Sequence, residues 1–138
     1  MSWVAIGACT TESQVHSELA SGISCLMGFE NSTNGDVKIA VDAVASACQP
    51  HHFLAVMKDG HSAVATTTGN QVCHIILHGG TRPNYDAASV EAACGLAPVV
   101  IIGARHANSV KGPENQPLVI ENGRPSDRWR PPHHRHHD

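Results

Sequence analysis

The strongest constraint on this chain is a repeated alternation of short apolar runs with capped, helix-periodic stretches. Trp3–Ile6 reads as a strand, and Thr11-x-x-Gln14 has the capping-box pattern that opens a helix through Ala20. Ser24–Met27 is a second apolar strand ended by Gly28, Asn31–Gly35 is rich in turn residues, and Asp36 is a good N-cap. Val37, Ala40, Val41, Val44 and Cys48 then recur at helical spacing, one face of an amphipathic helix closed by Pro50. Phe53–Met57 is a third strand. Ser62–Thr66 and Val72–Leu77 read as a hairpin-like pair joined at Gly69-Asn70. Gly79-Gly80 ends that excursion, Asp86 caps a short helix to about Cys94, and Val99–Ile102 is the last strand. Strands alternating with helices pair in parallel through right-handed crossovers, so the fold class is α/β.

Length allows one domain: the chain has 138 residues. Its cysteines, Cys9, Cys25, Cys48, Cys73 and Cys94, are odd in number and widely spaced, which suits free thiols in a reducing compartment. With no export leader and no run long enough to span a bilayer, the expected location is the cytoplasm, away from membranes. Up to residue 100 the only strong cations are Lys38, Lys58 and Arg82, so no basic stripe exists for nucleic acid. Residues 1–122 form the expected domain. Residues 123–138 carry Arg124, Arg128, Arg130 and Arg135 among prolines and histidines without periodicity, and read as a disordered tail.

The run Gly7-Ala8-Cys9-Thr10-Thr11 is a small-residue turn between an apolar strand and a helix. Such a turn delivers backbone N–H groups to an anion. Cys9 lies beside a helix start, where thiolate is favoured, yet a cysteine without any role is the weightier reading. His74 and His78 share a face of one strand but sit about 13 Å apart, too far to share an ion.

From Trp3 to about Asn122 the wording resembles the class I 3-deoxy-7-phosphoheptulonate (DAHP) synthases, also called phospho-2-dehydro-3-deoxyheptonate aldolases. The blocks that carry it are Thr10–Ala20, Gly22–Phe29, Asp36–Asp42, His51–Val56, Gly60–Val64, His74–Leu77, Asn84–Ala87 and His106-Ala107-Asn108-Ser109. The resemblance implies a (β/α)₈ TIM barrel, of which this chain supplies roughly strands four to seven. It also implies a transferase that condenses phosphoenolpyruvate with erythrose 4-phosphate. That reaction is the first step of the shikimate pathway to chorismate and the aromatic amino acids, and it uses a divalent metal.

Carried over position by position, the resemblance implies a damaged site. Ala8 matches and still offers its N–H to a phosphate. Cys9 stands where the family has a phosphate-binding Arg, Glu30 where it has a phosphoenolpyruvate-binding Lys, and His78 where it has another substrate-binding Arg. Lys58 matches a family residue, and a lysine merely snorkelling at the barrel rim explains it equally well. His106 matches the metal-ligand His, while the family's Cys, Glu and Asp ligands fall outside this chain, so the metal is not expected to be retained. His78 is expected to face solvent as a neutral imidazole. A carboxylate about 4 Å from a phosphate charge is repelled by roughly 4 kcal/mol at an effective dielectric of 20, so Glu30 is worse than a deletion.

The expectation is therefore a partial, degenerate copy, inactive by itself. Strands cut from a barrel also leave open edges, so the chain is expected to be marginally stable and to self-associate. The alternative is an interaction protein that pairs with intact synthase subunits. A third class, an unrelated enzyme using Cys9 as nucleophile, requires that thiol to be selectively reactive.

Overall fold

A computed structural model describes residues 2–123; the Arg-, Pro- and His-rich stretch read as a tail lies, apart from Gly123, outside the described residues. The elements in chain order are β1 (Trp3–Ile6), α1 (Gln14–Ala20), β2 (Leu26–Glu30), α2 (Val37–Ala47), β3 (His52–Val56) and β4 (Ser62–Thr66). They continue with β5 (Cys73–Leu77), α3 (Ala87–Cys94), β6 (Val100–Ile102), a single 3-10 turn at Pro113–Asn115, and α4 (Gln116–Asn122). Four strands form one parallel sheet in the order β1-β2-β5-β6, as the alternation requires.

The hairpin is different from the sequence reading. Ser62–Thr66 pairs antiparallel with the preceding strand β3, with Leu54 opposite Val64, and does not pair with Val72–Leu77. The Met57–Gly60 turn joins β3 to β4, with the Gly60 N–H bonded to Met57 O and a left-handed Gly60 (φ +88°). Phe53–Met57 therefore leaves the parallel sheet, and β5 returns to it alone. Gly69-Asn70 serves another purpose: left-handed Gly69 lies against the Cys48 and Gln49 backbone at the end of α2, and the Asn70 amide donates to Cys25 O at 3.0 Å.

Two further local readings shift. Gly28 lies inside β2 and does not end it, because a Cβ there would meet Ile76 Cγ1 at 2.9 Å and His74 Nε2 at 3.0 Å. The Thr11 capping box is not used, since α1 starts later, with Ser13 at its N-cap. Thr11 is buried and donates instead to Glu30 O at 2.8 Å, tying the β1–α1 turn to the end of β2. Asp36 and Asp86 cap as expected, accepting from the Lys38 and Ser89 amides at 2.8 and 3.0 Å.

Period-two alternation divides the sheet into two faces. Ile6, Met27, Phe29, Cys73, Ile75 and Leu77 point to one side and form the core with Ala20, Ala40, Ala43, Ala47 and Ala93 of the helices. The small helix side chains let α1, α2 and α3 approach the strands closely. The other face carries Trp3, Glu30, His74 and Ile76, in line with the parallel register.

On that second face the Trp3 indole N–H donates to His74 Nε2 at 3.0 Å, and the two rings stack at 6.1 Å. Burial holds the His74 imidazole below the ordinary histidine value of 6.5, with a backbone hydrogen bond at Val72 opposing. The unfolded chain therefore takes up this proton before the folded chain does. The resulting stability is complete above about pH 6.5 and is lost as pH falls through the lower folded-state value. The urea midpoint is expected to drop on acidification across that window, and His74→Gln, which keeps an acceptor for Trp3, is expected to flatten the drop. An unchanged slope in the variant would assign the acid sensitivity to other histidines.

Candidate anion site at the strand ends

All four strands of the sheet run the same way, so their C-terminal ends, where loops bear function in parallel α/β folds, lie on one edge. There the sequence-expected residues Ala8, Glu30 and His78 come together. Glu30 is their hub. Its side chain is 2% exposed, and Oε2 accepts the Ala8 N–H at 3.1 Å and lies 3.7 Å from His78 Nε2. Oε1 accepts from Arg105, which reaches in from the loop after β6.

This arrangement corrects three expectations. The Ala8 N–H does not await an external anion, since a carboxylate of the same chain already occupies it. Nor is His78 solvent-facing: it is buried at 5% exposure, because its backbone N–H donates to Asn31 Oδ1 at 3.0 Å and its Nε2 pairs with Asn31 O at 3.0 Å. Glu30 is likewise not an uncompensated charge, for Arg105 neutralises it. Charge-assisted hydrogen bonds of this kind contribute roughly 1.5–3 kcal/mol each.

His106 sits beside the cluster, its ring edge-on to His78 with centroids 5.0 Å apart. Burial first, then the charges of His78, Arg105 and Lys111, hold its imidazole below the ordinary value. Its backbone is left-handed (φ 52°), as are Val110 (φ 51°) and Lys111 (φ 59°), a costly conformation for residues with a Cβ. As a metal centre the donor set does not fit, because His78 Nε2 is engaged by Asn31 and Glu30 and Glu30 by Arg105. Among the described residues no group of three or more His, Cys, Asp or Glu is placed to hold an ion. Cys9 is exposed in the β1–α1 turn, and Lys58 is exposed at the tip of the β3–β4 hairpin with no bond to the cluster. A buried thiol elsewhere, Cys73, is pushed up to about 12, chiefly by burial, which leaves it inert.

Sequence reasoning missed the residues that hold the site together. Asn31, fully buried, donates to Ser32 O and Gly79 O at 2.8 Å each and so locks the end of β2 to the end of β5. Asn108 donates to Leu77 O and Gly103 O and accepts the Asn84 N–H at 2.8 Å. Gly80 permits the β5–α3 loop to run against the Asn34-Gly35 backbone, where any Cβ would collide. The signal for Arg105 was present. An acidic residue in a position the resemblance makes cationic calls for a new cation nearby, and Arg105 is the first one after Arg82.

A sequence profile described as the DAHP synthetase I family matches residues 1–124 of this chain. The chain belongs to that family. Relatives include the phospho-2-dehydro-3-deoxyheptonate aldolase of Haemophilus influenzae, 56% identical over 128 residues, covering 88% of this chain and 35% of that protein. The Phe-sensitive enzyme of that name from Escherichia coli K12 is 56% identical over 117 residues, covering 80% and 33%. In three dimensions the chain is similar to the phospho-2-dehydro-3-deoxyheptonate aldolase of Francisella tularensis, with a TM-score of 0.83 and 46% identity, over 88% of this chain and 38% of that one. This DAHP synthetase family chain thus spans about a third of the length of the curated relatives it matches. Among the described residues no helix is long and apolar enough to cross a membrane.

Proposed function

We propose that residues 1–122 correspond to roughly strands four to seven of a DAHP synthase TIM barrel whose substrate-phosphate position is closed from within. On this reading the chain alone does not condense phosphoenolpyruvate with erythrose 4-phosphate. One observation carries it: the buried Glu30 carboxylate takes the Ala8 N–H and the Arg105 guanidinium at the strand ends, where the resemblance puts the family's phosphates. A phosphate entering there must displace a carboxylate covalently fixed in β2. Cys9 and His78 add to the deficit, since each guanidinium–phosphate hydrogen bond they no longer supply contributes roughly 1.5–3 kcal/mol. The divalent metal of the family polarises the aldehyde when bound, and His106 with an engaged His78 does not supply its coordination sphere. The purified chain, given both substrates and a divalent metal, is expected to release no inorganic phosphate above a protein-free control. Turnover at any rate proportional to protein concentration overturns the reading.

A second role has its own support. The outer sides of β1 and β6 pair with nothing among the described residues, and Leu54, Val56 and Val64 form an exposed apolar patch on the β3–β4 hairpin. Open edges of this kind complete themselves against another strand, so the chain pairs with itself or with an intact synthase subunit. Sedimentation of the chain, alone and mixed with an intact synthase, is expected to show a faster species. A single monomeric boundary in both samples removes this role.

A further inference from the structure

We infer that Glu30 is a built-in anion: its carboxylate fills, from inside the chain, an oxyanion position whose donors are the Ala8 amide and the Arg105 guanidinium, with the His78 imidazole alongside. This rests on the proposed function and deepens it, because the position is occupied and not destroyed. The two donors come from the ends of different strands, β1 and β6, and converge on a carboxylate presented by a third, β2, while His78 after β5 stands 3.7 Å away with its Nε2 paired to Asn31 O. Among the described residues Glu30 is the only buried carboxylate. Its placement is rigid, for its own carbonyl accepts from Thr11 and the following Asn31 N–H donates to Ile76 O at 3.0 Å.

Carboxylate and phosphate oxygens accept from the same N–H groups, and a guanidinium suits either. The Arg105 side chain is 54% exposed, so it has room to follow a larger anion outward. Beneath the carboxylate lies exposed Gly7, where even an added Cβ would stay 3.8 Å from Oε2. Removing the Glu30 charge therefore leaves a cup of two donors with an open, side-chain-free wall. The ligand class is a tetrahedral oxyanion, inorganic phosphate or a phosphomonoester.

The test is a titration of the full chain with inorganic phosphate, read at the Ala8 backbone amide by heteronuclear NMR. In the native chain that resonance is expected to stay still. In Glu30→Gln and Glu30→Ala it is expected to move saturably, with phosphate bound at least about tenfold more tightly than by the native chain. Adding Arg105→Ala to Glu30→Ala is expected to abolish the response. A folded Glu30 variant whose Ala8 amide ignores phosphate overturns the built-in anion. Should neither variant fold, the native chain decides: a still Ala8 resonance upholds the proposal and a saturable shift there refutes it. The two readings fail separately, because turnover by the native chain sinks the proposed function, whereas an inert native chain with an unresponsive Glu30→Ala sinks only this inference.

Discussion

Phe29→Ala is expected to lower the unfolding free energy by about 3–5 kcal/mol, a large part of what a domain of this size has. Phe29 is fully buried in the middle of the sheet, between β1 and β5, and with Met27 it is the largest side chain in the core. The neighbouring helix positions are Ala40, Ala43 and Ala47, which have no reach to refill the space. A core of small residues depends heavily on its few large ones, so the cavity term adds in full to the transfer term. Met27→Leu, which keeps volume, is expected to cost less than about 1.5 kcal/mol. Urea denaturation of both variants checks this, and a Phe29→Ala loss no greater than the Met27→Leu loss would contradict it.

Asn31→Ala is expected to cost about 3 kcal/mol, close to the core variant, although it removes only a polar group. The carboxamide satisfies Ser32 O and Gly79 O as a donor and the His78 N–H and Asn84 Nδ2 as an acceptor. Its loss strands the buried His78 N–H and Gly79 O, and an unsatisfied buried group costs roughly 1–3 kcal/mol. Hydrogen exchange at the His78 amide is the sharper check, with protection expected to collapse in the variant. Full protection together with native-like stability would show that water replaces the side chain.

Local chemistry made much of the fold legible in advance. Asp36 and Asp86 cap where the residue type and the following apolar periodicity said they would, because capping is settled within one helical turn. The parallel sheet followed from alternation alone. Pairing was another matter: β4 is flanked by two strands, and the sequence pattern paired it with the later one, Val72–Leu77, which the structure overturns. The five-residue turn between Val56 and Ser62, closed by Gly60, gave it to β3, leaving β5 free for β2. Thr11 likewise had a good local cap to make and made a non-local bond instead, since a buried hydroxyl at that turn had the Glu30 carbonyl within reach.

The candidate site divides the same way. Ancestry and the identity of Ala8, Glu30, His78 and His106 as positions of interest were readable from the order of residues, because family wording is a property of the one-dimensional chain. That order also has a carboxylate, Glu30, where the resemblance implies a cation. It did not show that Arg105, 75 residues away in sequence, neutralises it, that His78 is buried, or that Asn31 and Asn108 hold the strand ends together. Those facts belong to the tertiary structure, since they depend on which strand ends the crossovers bring to one edge. Whether an acidic residue repels a ligand or replaces it is a question of which donors surround it, and only the folded chain assembles them.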